Sequence, residues 1–357
     1  MTRIRSVRAR AVLVPMPEPH QTASGTITES PLVLTDLTTD DGATGQSIIF
    51  TYAAVALAPT AQLVKQIGEA LVGEAAAPLE VSRKLARKFR LLGTEGLVGM
   101  AMAALDMALW DAEARRHGVS LARLLGATER PIRAYGAVGY DGESKSAQVA
   151  EGWAKRGFTG VKAKIGYPTV EEDLAVVRGI RRAVGPGVSV MVDYNQSLTP
   201  AAAAQRIRAI EDEGLAWVEE PTLAHDLEGH ASIAREARTP IQCGENWWGP
   251  DEVGRAIDAG ASDLVMLDAM KVGGVSGWMR GAALAEARGI PVSSHLWPEV
   301  SAQLLAATGT ADWLEYADWW NGVLREPLRI EHGLAMPATG PGSGLSWNER
   351  TIEQLIR

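Results

Sequence analysis

SVMVDYN (189–195), AWVEEP (216–221) and PIQCGENW (240–247) are three short apolar runs, and each carries a carboxylate at its end: Asp193, Glu219 and Glu245. The acids are equally spaced, 26 residues from one to the next. Between the runs lie AAAAQRIRAIEDEG and LEGHASIAREAR, both with helical periodicity. Strand, helix, strand, helix, strand at a fixed step is the rhythm of a β/α barrel, in which neighbouring strand ends lie side by side at the C-terminal mouth. One acid after one strand reads as a solvated loop residue. Three at equal steps converge on one point, where they repel each other unless a cation sits between them. An all-oxygen set with no Cys or His suits Mg²⁺ rather than zinc.

The same rhythm extends in both directions. From Pro131 onward the predicted strands are IRAYGAV (132–138), GVKAKIG (160–166), the three opening runs, DLVMLDAM (263–270), PVSSHLW (291–297) and DWLEYAD (312–318). Helical segments such as VEEDLAVVRGIRRAVG, DEVGRAIDAG and SGWMRGAALAEARG separate them, giving eight strands and seven helical stretches over 127–321. Residues 1–126 read differently, with strands first and helices after, as an α+β unit. IRSVRARAVLV and SPLVLTDLTTDDGATGQSIIF are β-rich, with Asp41-Gly42 as a hairpin turn. TAQLVKQIGEALVG and VSRKLARKFRLLG are helical, and LVGMAMAALDMALWDAEARRHG (97–118), apolar on most of its circumference, is a helix buried between layers. HQTASGTITES (20–30) is small and polar and reads as a loop, a solvated linker or a lid. The segment 322–357 is rich in turns, ends in the helical TIEQLIR and is expected to pack back on the first unit.

Strand alternation phases the remaining polar residues. Lys162 and Lys164 share one face of the second barrel strand, where burial is costly unless the acid cluster pairs them. Two crowded ammonium groups lower the pKa of one of them, as a base working near neutrality requires. The sixth strand ends in Asp268 and the seventh in His295, so the carboxylate can orient the imidazole. Glu315 lies on the eighth strand. Cys243, two residues before Glu245, is expected on the same inner face as a packing residue.

Composition bounds the rest. The chain has 357 residues, 46% of them hydrophobic, which fits a barrel of about 250 residues plus one further unit. A net charge of −8 with no basic run excludes nucleic acid and anionic membrane as evident partners. The single cysteine rules out an internal disulfide. MTRIRSVRARAVLVP lacks a signal-peptide core and no run of ~18 apolar residues exists, so a soluble, cytoplasmic protein is expected.

VKAKIGYP, VMVDYNQSL, WVEEPT, GENWWGP, DAMKVGGVSGW and SSHLWPE, with ALDMALWDA upstream, resemble the site motifs and cap helix of the enolase superfamily, and within it the mandelate racemase group. The resemblance implies a modified (β/α)7β TIM-type barrel under an N-terminal α+β capping domain. It implies Mg²⁺ on Asp193, Glu219 and Glu245, Lys164 as the base on one substrate face, and His295, held by Asp268, on the other. It also implies that Lys162 holds the substrate carboxylate, that Asn195 contacts the α-hydroxyl and that Glu315 donates to the developing enediolate. A Lys or His base with Mg²⁺ stabilising that intermediate is the established chemistry of this superfamily. Mandelate racemase itself has a serine, which bonds the substrate carboxylate, and then a histidine where this chain has Ala137 and Val138. Tyr316, Trp319 and Trp320 also make the exit of strand eight bulkier. Phe50, Tyr52, Trp297 and Trp319 are candidate pocket walls, with Tyr52 taken as substrate-binding. The expected activity is racemisation of a 2-hydroxy acid with an apolar or aromatic side. The alternative is acid-sugar dehydration, for which segment 20–30 offers Thr26, Thr28 and Glu29 but no arginine. A small carboxylate and further copies of the chain, in a homo-oligomer, are the expected partners.

Overall fold

The computed structural model describes residues 1–22 and 25–356. The N-terminal unit opens with a three-stranded antiparallel sheet, β1 (Ile4–Thr22), β2 (Gly25–Thr39) and β3 (Thr44–Phe50). The β2–β3 turn is the expected one. Asp41 Oδ1 accepts from Thr39 Oγ1 at 2.6 Å, and Gly42 takes a φ of 91° that a side chain would oppose. Four helices follow: α1 (Ala54–Glu69), α2 (Pro78–Phe89), α3 (Gly96–Arg116) and α4 (Leu121–Leu124). Helix α1 starts earlier than the sequence pattern, and carries Pro59 inside it. The carbonyl left free by the missing Pro59 N–H belongs to Val55, which is exposed, so water can take the bond. Helix α3 is the buried one, as its composition requires. Its alanines let β3 approach so closely that a Cβ on Gly45 would lie 1.8 Å from the Ala108 carbonyl oxygen.

Residues 20–22 and 25–30, expected as loop, are strand. β1 and β2 continue as a pair through His20↔Ile27 to Thr22↔Gly25, so they form a hairpin arm. Period-two pairing with a partner strand overrides the small polar composition that reads locally as linker. Residues 23 and 24 lie outside the described residues. The arm reaches the second unit, where Tyr140 N–H donates to the Gln21 carbonyl at 2.9 Å and Ser30 Oγ to the Trp319 carbonyl at 3.0 Å.

Among the described residues, eight parallel strands with seven intervening helices close into a barrel. In order they are β4 (Ile132–Val138), α5 (Gly142–Lys155), β5 (Gly160–Lys164), α6 (Val170–Val184), β6 (Ser189–Asp193), α7 (Pro200–Ile210) and β7 (Val218–Glu219). Then come α8 (Leu227–Glu236), β8 (Ile241–Cys243), α9 (Gly249–Ala259), β9 (Leu264–Asp268), α10 (Gly274–Glu286), β10 (Val292–His295), α11 (Pro298–Ala306) and β11 (Ala311–Tyr316). Closure is the parallel pairing of β11 with β4, Glu315↔Tyr135 among its partners. Inside, Tyr135, Met191, Trp217, Met266 and Trp313 form an apolar layer with edge-on ring contacts of 5.6–6.5 Å. This floor fills the lower barrel, so the polar inward residues stand above it at the mouth.

The chain after the barrel adds a short hairpin, β12 (Arg329–Glu331) and β13 (Leu334–Met336), which extends the sheet beside β4, and a last helix, α12 (Glu349–Leu355). Trp347 Nε1 donates to Asp36 at 2.6 Å, Ser343 to the buried Asp111, and Arg10 bridges Asp36 and Glu349.

Candidate active site

Each strand of the barrel delivers its last inward side chain to the mouth. Lys164, Asp193, Glu219 and Gln242 sit on successive rungs, Lys164↔Asp193, Asp193↔Glu219 and Glu219↔Gln242, so a common register sets them side by side. Glu245 arrives by another route. Gln242 points inward and donates to Glu219 at 3.2 Å, which turns Cys243 outward, with its sulfur 3.3 Å from His230 Nδ1 on α8. The expectation of an inward Cys243 is therefore corrected: β8 ends at Cys243, and Gly244 with a φ of 133° breaks the alternation and brings Glu245 inward. Ligand oxygens of Asp193, Glu219 and Glu245 lie within 4.8 Å of one another, and all three residues are buried.

Cations crowd this cluster. Lys162 Nζ contacts Glu219, lies 3.0 Å from Glu315 and 4.0 Å from Asp193. Lys164 Nζ is 3.3 Å from Asp193 Oδ2 and donates to Asn195 Oδ1 at 2.5 Å. His295 Nδ1 is 2.7 Å from Asp268 Oδ2, while its Nε2 faces Glu245 at 3.4 Å and Glu315 at 3.7 Å. Burial works against the Lys162 ammonium, yet Glu219 and Glu315 outweigh it and hold its pKa well above the usual value. Burial also opposes the imidazolium of His295, and Glu245 and Asp268 reverse that, raising its pKa. Burial pushes Glu219 well up, Lys162 opposes it, and Asp193 and Glu245 add to it. A buried carboxylate group so crowded with its own kind fits a hard divalent cation. Glu315 resists burial because Lys162 and His295 hold it low. A donating role needs its acid form, which Glu245 favours.

Several site residues escape a reading by alternation. Glu220 follows Glu219 directly and should point away, but a φ of 37° turns it, and Asn246 Nδ2 donates to both its oxygens at 2.8 Å. Burial and Glu245 push Glu220 up to about 8. Lys271 contacts Asn246 Oδ1 and lies 4.8 Å from the Tyr52 ring centroid. The doubled acid in WVEEP and the Lys in DAMK were visible signals, but the turns that aim them were not. Positive φ values also occur at Tyr52, two residues past β3 of the cap, at Asn195 and Gln196 in the turn after β6, and at Leu296 and Trp297 after β10.

The aromatic residues divide. Phe50 packs on Tyr52 at 4.8 Å and on Trp319 at 5.7 Å, and Tyr52 Oη reaches Asp268 Oδ2 at 3.5 Å. Trp297 is corrected from pocket wall to core: it stacks on Trp320 at 5.4 Å and is buried, its φ of 51° being the left-handed entry to α11. His20, on the arm, contacts Trp319 at 4.9 Å and was not anticipated.

Fold and site together define an enzyme class: a capped β/α barrel with an acidic triad suited to Mg²⁺ and basic groups around it. Residues 4–126 match the family described as mandelate racemase / muconate lactonizing enzyme, N-terminal domain, and residues 145–351 match the enolase C-terminal domain-like family. The chain belongs to the enolase superfamily, in its mandelate racemase group. It is similar to the crystal structure of an enolase from Bradyrhizobium complexed with magnesium and mandelic acid. The identity is 44% and the TM-score 0.96, over 100% of this chain and 99% of that one. It is similar to L-talarate dehydratase from Polaromonas sp. JS666 complexed with Mg and L-glucarate, at 31% identity and TM-score 0.93, over 100% and 98% of the two chains. L-talarate/galactarate dehydratase from Salmonella typhimurium is 31% identical over 91% of this chain and 82% of its own length. Relatives also include cycloisomerases and an epimerase. Magnesium in the neighbouring structures agrees with the acidic triad of this chain, and Mg²⁺ is its cofactor. No helix among the described residues is long and apolar enough to cross a membrane.

Proposed function

We propose that the protein abstracts the α-proton of a 2-hydroxy acid and returns one to either face, racemising an acid with an aromatic side. The observation that carries this reading is the placement of two bases around one carboxylate cluster. Lys164 ends β5, His295 ends β10, and β4 and β11 separate them on one side and four strands on the other.

In this reading Asp193, Glu219 and Glu245 hold Mg²⁺, which when bound stabilises negative charge on the substrate carboxylate. Lys162 supplies a second fixed positive charge to that carboxylate. Asn195, hydrogen-bonded to Asp193 and Lys164, is placed to take the α-hydroxyl. Lys164 removes the proton from one face. His295, its Nδ1 tied to Asp268, removes or returns it on the other. The anionic substrate favours the acid form of Glu315, which then donates to the enediolate. Tyr52 and Trp319 offer an aromatic wall, backed by the buried Phe50, and the similar Bradyrhizobium enolase is complexed with mandelic acid. Residues 1–126 serve as the cap, 127–321 as the catalytic barrel, and 322–357 as a tie back to the cap.

Acid-sugar dehydration is the second reading, favoured by the dehydratase relatives. The same base starts it, and His295 as acid expels a β-hydroxyl. Proton NMR in deuterated water over a panel of 2-hydroxy and sugar acids decides between them. Racemisation exchanges the α-proton without net loss of substrate, whereas dehydration yields a keto acid.

A further inference from the structure

Asn246 faces three charged groups at once. Its Nδ2 donates to both oxygens of Glu220 at 2.8 Å and to Glu245 Oε1 at 3.1 Å, and its Oδ1 accepts from the Lys271 ammonium. A carboxylate only accepts and an ammonium only donates, so one orientation of the amide satisfies all three. In that orientation Glu245 is held through Oε1, while its Oε2 turns toward His295 Nε2 at 3.4 Å.

Lys271 is an uncommon neighbour for such an amide. It is 8% exposed, yet among the described residues no carboxylate oxygen lies within 4.0 Å of its Nζ, and Asn246 Oδ1 is the one acceptor its ammonium has. Lys162, also buried, contacts Glu219 and Glu315 directly. The face of the Tyr52 ring covers the Lys271 ammonium, its centroid 4.8 Å from Nζ, and returns part of the lost hydration. A buried charge without a direct counter-charge is costly, so the single strong contact it makes carries weight. The main chain sets its place. Lys271 N–H donates to Asp268 Oδ1 at 2.9 Å, and its carbonyl accepts from Gly249 N–H at 3.0 Å. Neither bond uses a side-chain atom of Lys271, so a substitution there leaves the turn tied at both ends.

We propose that Lys271 is a positioning residue for the metal centre, acting through the Asn246 amide to hold Glu245 ready for Mg²⁺. The inference uses Mg²⁺ at the acidic triad and neither reading of the reaction. Two effects of Lys271 oppose each other. As a cation near the triad it repels Mg²⁺, so loss of its charge alone would tighten binding. As the anchor of Asn246 it keeps a ligand in place. Without it the amide carbonyl loses its donor, and Asn246 is held from the carboxylate side only. Partners that orient metal ligands commonly contribute about 10- to 100-fold to affinity. Glu220 on the same amide offsets the field of the ammonium, so the positioning effect wins and loss of Lys271 weakens Mg²⁺ binding.

Calorimetric titration of the chelator-stripped full chain with Mg²⁺ tests this. The proteins are the wild type, Lys271→Met, Lys271→Arg, Asn246→Ala and the double variant Asn246→Ala/Lys271→Met. Lys271→Leu replaces the Met variant should that one not fold, and thermal melts check each protein. Lys271→Met should bind Mg²⁺ about 10- to 100-fold more weakly than the wild type. Lys271→Arg, which returns a donor to the same carbonyl, should recover most of that loss. In the Asn246→Ala background the Met substitution should add less than about threefold, because the route it acts through is already broken. A merely structural role predicts instead the same loss in both backgrounds. Unchanged or tighter Mg²⁺ binding by Lys271→Met, or a loss that multiplies in the double variant, overturns the inference while leaving the metal assignment intact. Failure of the wild type to bind Mg²⁺ overturns both.

Discussion

His295 and Asp268 occupy the same rung of the β9–β10 ladder, with His295 Nδ1 2.7 Å from Asp268 Oδ2. The other oxygen of Asp268 accepts the N–H groups of Met270 and Lys271 at 2.8 and 2.9 Å, so the carboxylate cannot rotate away. Nδ1 is thereby occupied, and Nε2 is the atom turned toward the carboxylate cluster.

Asp268→Asn tests the dyad. An amide keeps the shape but removes the charge that supports the imidazolium. Proton transfer on the His295 face should fall by about 10²- to 10⁴-fold. Exchange on the Lys164 face should stay within about tenfold of wild type, because no oxygen of Asp268 lies against that lysine. Isotope exchange on each enantiomer measures the two separately.

Glu219→Gln should lose magnesium and activity together. Glu219 is fully buried at the centre of the triad, and an amide oxygen is a weaker ligand for a hard cation than a carboxylate. Metal analysis of the purified variant, with activity titrated against added Mg²⁺, checks this. Full activity of the wild type in excess chelator would contradict it.

Asn246→Ala should weaken magnesium binding without removing a ligand. Asn246 Nδ2 reaches Glu245 at 3.1 Å and both oxygens of Glu220, and its Oδ1 takes Lys271. Loss of such a supporting shell commonly costs about 10- to 100-fold in metal affinity. Calorimetry with Mg²⁺ should show that loss, with the fold intact by circular dichroism.

Much of this arrangement was legible because alternation and equal spacing are local properties of strands. Lys162, Lys164, Asp193, Glu219, Asp268, His295 and Glu315 could be phased from their neighbours alone. What was not legible came from backbone turns and from distant pairing. Gly244 reverses the phase between Cys243 and Glu245, the positive φ of Glu220 turns a residue that alternation sends outward, and pairing across a hairpin makes strand of residues 20–22 and 25–30. His20 is the clearest case. Nothing near it in sequence says that it meets Trp319, some three hundred positions later. The β12–β13 hairpin was missed for the same reason, since three-residue strands have too few positions for a period to show.

Stability should carry a pH signature from Asp106. This buried carboxyl on α3 accepts Ser276 N–H at 2.9 Å and Ser276 Oγ–H at 2.5 Å, joining cap to barrel, and burial pushes its pKa up to about 7. The folded pKa exceeds the unfolded value, so the folded state binds the extra proton. Its stabilisation is complete below about pH 4 and is lost as pH rises to about 7, by up to about 1.4 kcal/mol per pH unit. Urea melts at pH 5 and 8 should show a smaller pH difference for Asp106→Asn than for wild type. An equal difference in both proteins would contradict the assignment.

The central claim is that two bases serve two faces, and proton NMR of single enantiomers in deuterated water tests it most directly. His295→Asn should abolish net racemisation yet still let Lys164 exchange the α-proton of one enantiomer with solvent. Lys164→Ala should exchange the other enantiomer only, more weakly if its ammonium also helps hold the carboxylate. Equal exchange of both enantiomers by the His295 variant would contradict the account.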